Sequence, residues 1–167
     1  MADFYGSVAG ADAYFMARGR SDWVDAPTEL KEPALIIASE WIDARYGSQF
    51  PGYPTGKAAQ VRLWPRTTAQ NIYLEAIATD AIPEQVERAT YQVALREIIS
   101  PGSLNVDWTP GKEKLSVSVS GAVAVTYAGA YSYQDAQVTI GGIGAILAPV
   151  LNPNAATSMY SGRTSRV

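Results

Sequence analysis

The sequence predicts a mainly helical fold: a small bundle of three main helices plus a short C-terminal helix, with an inserted β-hairpin or long β-strand pair and an extended C-terminal tail. Three observations predict it. Apolar residues recur at helical spacing in three segments before residue 101. From Leu115 onward, apolar residues instead alternate with small or polar ones, as in a β-strand. Residues 152–167 show neither pattern. We therefore predict a single helical domain over residues 1–151, with β structure at about 113–128, followed by a tail over residues 152–167.

The first helix is expected to follow Ser7, which is a favourable N-cap, and to stop at Gly19. Its apolar positions have helical spacing: Val8, Ala11, Tyr14 and Phe15. The next residues, 20–26, are predicted to form a loop in which Trp23 covers the core.

The second helix is predicted over about Thr28–Tyr46, with Trp41 on its apolar face. Pro33 lacks a backbone N–H, so the regular helix should either begin near Lys31 or be kinked. Residues 48–56 carry two prolines and two glycines, which indicates an ordered loop held by its aromatic residues, Phe50 and Tyr53.

Residues 60–67 read Gln-Val-Arg-Leu-Trp-Pro-Arg-Thr, and Pro65 disfavours a helical conformation at Trp64. Two interpretations of this segment stay open. In the first, Trp64 and Pro65 form a wedge in the core and the flanking Arg62 and Arg66 pair with acids. In the second, these arginines contact another subunit or passing DNA, and with Trp64 they could clamp a nucleic-acid strand.

The third helix is predicted from Pro83 at its first position to just before Pro101. It should pack on the second helix and bury Trp41 between them. The residues before it, 67–81, are expected to be mostly loop, with a short strand or helical turn at 71–77. After the β region, the apolar run 140–151 predicts the short C-terminal helix, which its three glycines weaken.

Composition limits the chemistry that the chain can carry. It has no cysteine, which excludes disulfides and thiolate catalysis, and no histidine, the commonest general base near neutral pH. The net charge of −3 argues mildly against strong DNA binding. No apolar run approaches a membrane span and no signal pattern opens the chain, so we expect neither membrane insertion nor secretion.

Charged residues are distributed unevenly. Only 17% of the residues are charged, and between Leu115 and Gly162 the single charged residue is Asp135. One interpretation is a buried hairpin followed by a neutral tail. The other is an assembly surface, because charged residues are depleted at the core of protein interfaces.

Candidate catalytic features are weak. Glu40 and Asp43 are neighbours on the second helix, but a solvated helix face explains them. The glycines at 141–144 lack the lysine and the Ser or Thr of a phosphate-binding loop. We therefore predict a protein that is not an enzyme, with no catalytic residue, no cofactor and no metal site.

Several motifs in order resemble a tailed-phage family whose members are named either head–tail connector (adaptor) or DnaT-like single-stranded-DNA-binding protein. The most specific is residues 60–67. The others are Ser7–Phe15 with Arg18, Gly19 and Trp23; Ala34–Ala38 with Trp41–Asp43; Ile82–Val86 with Ala89–Leu95; Val125–Tyr127; and Leu147–Leu151.

The resemblance implies a structural virion protein, made in the bacterial host cytoplasm, that forms a ring of twelve copies at the head–tail interface beneath the portal. DNA would pass through this ring without sequence-specific binding. The partners would be the portal protein, through tail residues such as Tyr160, Arg163 and Arg166, and a downstream neck or tail-completion protein. The alternative is a single-stranded-DNA-binding accessory protein of phage replication.

Overall fold

The computed structural model describes residues 4–105, 114–119, 123–127 and 140–152, and its architecture is mainly helical, as the sequence predicts. The α-helices within these ranges are α1 (Val8–Met16), α2 (Ser21–Val24), α3 (Thr28–Tyr46), α4 (Glu84–Ile99) and α5 (Ile143–Leu147). Short 3₁₀ turns occur at Gly47–Gln49, Lys57–Ala59 and Ala148–Val150.

In the described part of the chain, two small antiparallel sheets accompany the helices. Strand β1 (Tyr53–Pro54) pairs with β2 (Arg66–Thr67), and β3 (Lys114–Val119) pairs with β4 (Val123–Tyr127). The β3–β4 pair agrees with the β region predicted at about 113–128. It belongs to a compact unit of its own, whereas the described residues up to Pro101 and from Ile140 form another.

The core of the helical unit lies where α3 meets α4, and α1, α2 and α5 also pack on α4. The largest apolar side chains there are almost fully buried: Phe15, Trp23, Leu35, Ile42, Val86, Val93, Ile143 and Leu147. Burying one such side chain stabilises the folded state by about 1.5–3 kcal/mol. The helices are therefore held together mainly by this apolar packing.

Two expectations about the N-terminal half need correction. Trp23 is fully buried as predicted, but it lies in the short helix α2 rather than in a loop. Helix α3 has the predicted bounds, Thr28–Tyr46, and continues through Pro33, so the alternative of a start near Lys31 is wrong. Pro33 removes one backbone donor there, and both Pro33 and the residue one turn before it, Glu29, are exposed, so water can satisfy the freed carbonyl.

Trp41 was expected between the second and third helices, but it is only half-buried. The face of α3 that is buried is formed by Leu35, Ala38, Ser39 and Ile42, so Trp41 lies about a quarter-turn away from it. Its ring instead meets the ring of Tyr46 edge-on, with centroids 6.1 Å apart.

The connecting segments also differ from the prediction. Phe50 is buried, whereas Tyr53 is mostly exposed on β1. Residues 71–77 form a tight loop closed by a bridge between Gln70 and Ala76, rather than a regular strand or helical turn. Helix α4 begins at Glu84, with Pro83 as its N-cap. The tail residues Tyr160, Arg163 and Arg166 lie outside the described residues.

Candidate nucleic-acid interface

Arg66 is 5% exposed and its side chain binds the fold itself. The guanidinium donates hydrogen bonds to the backbone carbonyls of Gly52 (2.6 Å), Pro51 (2.7 Å) and Leu63 (3.1 Å), with a longer one to Phe50 (3.5 Å). A planar group with a fixed fork of donors suits such a cage of carbonyls. Arg66 therefore holds the two ends of the 50–66 loop together through hydrogen bonds to its backbone.

A buried network joins the N-terminal segment to the same loop. The hydroxyl of Tyr5 donates to the carboxylate of Asp43 and accepts from the backbone N–H of Trp64, while Asp43 also accepts from the N–H of Leu63. Burial raises the pKa of Asp43. Burial together with the charge of Asp43 raises the pKa of Tyr5, and burial lowers the pKa of Arg66.

Trp64 and Arg62 complete this part of the core. Trp64 is 1% exposed, is joined to Pro65 by a cis peptide bond, and meets the ring of Phe50 edge-on with centroids 5.6 Å apart. Arg62 is 9% exposed and forms an ion pair with Glu40 at 3.3 Å. The structure places Trp64, Arg62 and Arg66 inside the fold, where little of their surface can meet a nucleic-acid strand.

A different group of arginines lies on the surface. Arg18 follows α1, Arg20 precedes α2, and Arg96 is in the last turn of α4; we call these three exposed residues the arginine cluster. A cleft of about 350 Å³ is lined by Arg20 and Arg96, together with the polar side chains of Gln92 and Ser100. The packing of α2 on α4 brings these positions together.

Arg18 is connected to this cleft through Tyr14. Its guanidinium lies 3.5 Å from the centre of the Tyr14 ring and donates to the Tyr14 carbonyl at 2.9 Å. The Tyr14 hydroxyl accepts a hydrogen bond from Gln92 at 3.0 Å, and Gln92 lines the cleft. These contacts hold Tyr14 half-buried between Arg18 and the cleft.

The electrostatics of the cleft favour an anion. Arg96 forms no ion pair with any described residue, and Arg20 pairs with the exposed carboxylate of Asp22 at 3.2 Å, a solvated contact of small energy. The remaining lining of the cleft is apolar, from Leu95, Ile99 and Ile140. Two guanidinium groups in a cleft with apolar side chains can bind a phosphate and the base next to it.

Other features that the sequence singled out have structural environments. Glu40 pairs with Arg62, and Asp43 accepts from Tyr5 and from the backbone N–H of Leu63, so each acid has a structural partner. Gly141 and Gly142 precede α5, a helix of five residues, and Gly144 lies within it. Within the ranges that the structure describes, no group of acidic residues has the arrangement of a metal site, and no helix is long and apolar enough to cross a membrane.

Sequence reasoning missed the arginine cluster because its members are separated along the chain. Arg18 could be interpreted as a residue that favours the end of the first helix, and Arg96 as one on the outer face of the third. The available signal was that both occur at helix C-termini. Their shared position around Gln92 depends on how α1, α2 and α4 pack.

Comparison with known proteins found one family. The model of the family described as "Putative DnaT-like ssDNA binding protein" matches residues 1–167. No curated protein and no solved structure matches the chain significantly.

Proposed function

Because the chain belongs to the family of DnaT-like ssDNA binding proteins, we propose that it binds single-stranded DNA through the arginine cluster. The observation that carries this proposal is the convergence of Arg20 and Arg96 on one cleft, with Arg18 held beside it over Tyr14. Arg62, Trp64 and Arg66 of the 60–67 segment are not used, because their side chains are buried.

Each guanidinium can form two parallel hydrogen bonds with a phosphate, which an ammonium group cannot do. The cleft lies between two arginines and has Gln92 and Ser100 as further donors. Its apolar part, with Ile99 55% exposed, can cover the face of a base. A flexible single strand can bring phosphate and base to such a small site together, whereas the bases of a duplex remain stacked inside it.

Three phosphate contacts predict modest, salt-sensitive binding. For single strands the logarithm of the affinity falls with the logarithm of salt concentration by about 0.7 per phosphate neutralised. Three contacts therefore predict a slope near −2, and roughly a 20-fold loss of affinity between 50 and 200 mM salt. The overall charge of −3 adds a small repulsion, which salt also screens, so it makes the net slope slightly shallower.

The experiment is fluorescence anisotropy of a labelled oligothymidylate of about 20 nucleotides, longer than a typical small site, titrated at several salt concentrations. Arg20→Ala and Arg96→Ala should each weaken binding by about tenfold and make the salt slope shallower by about 0.7. Both side chains are exposed, so the thermal transition should not change.

Arg88→Ala is the matched control, since Arg88 is an exposed arginine on the same helix but pairs with Glu84 at 2.6 Å and lies outside the cleft. It should bind like the parent. If the parent does not bind the oligonucleotide at 50 mM salt, or if Arg96→Ala binds as tightly as Arg88→Ala, the proposal is wrong.

A second function, the head–tail connector, is a separate proposal. Its support is the resemblance described above together with an exposed loop of three large apolar residues, Ile72–Leu74, which suits a protein that works in an assembly. In this function the chain forms a homo-oligomeric ring under the portal protein, contacts a downstream neck or tail-completion protein, and surrounds passing DNA in the virion.

Electron microscopy of the protein mixed with portal protein, and of virions, tests this second function. Rings capping the portal, with the protein present in purified virions, would support it. A protein that is absent from virions and leaves the portal unoccupied would contradict it. The two functions are distinguishable, because free protein binds the oligonucleotide in the first and need not do so in the second.

A further inference from the structure

Three consecutive large apolar side chains project from the helical unit. Ile72 is 44% exposed, Tyr73 71% and Leu74 78%. We call these residues the 72–74 loop. Isolated apolar residues are common on protein surfaces, but a run of three on one projecting loop indicates a contact with another molecule.

The loop is held rigidly by its own hydrogen bonds. The side-chain oxygen of Asn71 accepts from the backbone N–H groups of Tyr73 (2.9 Å) and Glu75 (3.0 Å), and its amide donates to the Glu75 carboxylate (2.7 Å). The N–H of Ile72 donates to the carbonyl of Pro149. A loop fixed in this way loses little conformational entropy on binding.

Leu74 has a left-handed backbone conformation, with φ of 64°. Glycine or asparagine would adopt this conformation with less strain. Burial of the leucine side chain does not offset this strain, because Leu74 is the most exposed of the three residues. Its presence is therefore best explained by a partner that it contacts.

A cleft on the same unit is suited to receive such side chains. It has a volume of about 350 Å³, and we call it the Trp64 cleft. Its apolar lining comes from Phe4, Ala59, Val61, Trp64 and Ile82. Val61 is 74% exposed there, which leaves an apolar side chain available to an incoming group.

The polar groups of the Trp64 cleft remain able to bind a partner. Asp80 and Glu87 contribute carboxylates, and burial with the nearby charge of Glu84 raises the pKa of Glu87. An incoming hydroxyl group can donate to such a carboxylate, which adds orientation to the apolar contact.

We propose that the 72–74 loop of one copy inserts into the Trp64 cleft of a second copy. The exposure of Tyr73 and Leu74 shows that a chain does not fill its own cleft with its own loop. Leu74 supplies apolar surface to the cleft, and the Tyr73 hydroxyl can donate to Asp80 or Glu87 at its edge.

Contact between two different surfaces of the same chain is head-to-tail, so each copy that accepts a loop still offers its own. Copies therefore add one after another, into a closed ring or an open chain. The small size of the contact predicts weak association in free solution. This inference requires neither DNA nor another protein, so its test is separate from those of both proposed functions.

The experiment uses two variants of the full chain, Leu74→Asp in the loop and Val61→Asp in the cleft. Both positions are exposed and aspartate tolerates the conformation of Leu74, so both variants should keep the parent's thermal transition. Sedimentation velocity at high protein concentration, without DNA, should show each variant as a monomer. An equal mixture should form dimers and nothing larger, since one intact loop and one intact cleft remain.

The parent at the same concentration should form species larger than dimers. Loop-to-loop association would instead let Val61→Asp, whose loop is intact, associate on its own, and this result would overturn the proposal. A monomeric parent at every accessible concentration would overturn it as well. If the parent associates and neither variant weakens that association, the contact lies elsewhere and the proposal is wrong.

Introduced cysteines give a second, local measurement, because the chain has none of its own. Tyr73→Cys mixed with Val61→Cys should form a disulfide-linked heterodimer under mild oxidation. Tyr73→Cys mixed with Met16→Cys is the control, as Met16 is 68% exposed and does not line the cleft. Equal yields from the two mixtures would show that the crosslinking is random and would reject the insertion.

Discussion

Replacing Arg66 with alanine should strongly destabilise the helical unit, although an arginine is usually expected at the surface. The side chain donates to four backbone carbonyls, three of them within 3.1 Å. Bonds from a charged donor contribute about 1.5–3 kcal/mol each, and the cost of burying the guanidinium offsets part of that sum. We expect the free energy of unfolding to fall by about 3–5 kcal/mol.

That loss corresponds to a melting temperature lower by roughly 6–20 °C for a chain of this length. Urea denaturation followed by circular dichroism measures the free energy, and a thermal scan measures the shift. Arg66→Lys keeps the charge but has no planar fork of donors, so it should lose about half as much stability. Arg88→Ala, at an exposed ion pair, should change the free energy by less than about 1 kcal/mol.

A melting temperature of Arg66→Ala within 2 °C of the parent, to which an effect below about 1 kcal/mol corresponds, would refute the reasoning. It would mean that water satisfies the carbonyls as well as the guanidinium does. A second check concerns DNA. Arg66→Lys, measured below its melting temperature, should bind the oligonucleotide like the parent, because Arg66 is separate from the arginine cluster.

Three further predictions concern other parts of the helical unit. Asp12→Ala should lower the free energy of unfolding by about 2–4 kcal/mol in urea denaturation, because the buried ammonium of Lys31 loses the carboxylate 3.0 Å away; a loss no larger than that of Arg88→Ala would contradict this. Burial raises the folded-state pKa of Glu87, so its ionisation lowers stability as the pH rises above about 4.5. Glu87→Gln should therefore gain stability relative to the parent between pH 4 and pH 7 in thermal scans, and a constant difference across this range would count against the stated cause. Gly52 and Gly19 both have positive φ, but a Cβ at Gly52 would collide with the backbone of the opposite strand whereas one at Gly19 meets open space. Gly52→Ala should thus lose at least about 2 kcal/mol more than Gly19→Ala, and equal losses in the same denaturation assay would show that the loop moves aside freely.

The helices could be predicted from local chemistry. Ser7 caps α1 as expected, accepting a hydrogen bond from the N–H of Gly10, and the period-two run from Leu115 forms an antiparallel strand pair. Helix α3 shows a case in which a local rule failed. Pro33 suggested a later start near Lys31, but helix α3 begins at Thr28, because an exposed carbonyl can be solvated and packing on α4 outweighs the lost hydrogen bond.

The apolar faces were predicted less well than the helices themselves. Trp41 belonged to the predicted apolar face, yet the buried stripe that includes Leu35 and Ile42 excludes it. A helical period defines a broad face, and the direction from which α4 approaches decides which part of that face is covered. This direction depends on contacts between distant residues, which a local pattern does not contain.

By itself the sequence determined the class of the fold, most of the helical segments and the absence of cysteine and histidine chemistry, because these follow from local spacing and composition. The roles of the arginines were decided by the tertiary structure. Arg66 and Arg96 are chemically identical, but one is enclosed by carbonyls at the loop and the other faces solvent beside Arg20. The energy of a charge depends on what surrounds it, and the surroundings of these two are assembled from segments far apart in the chain.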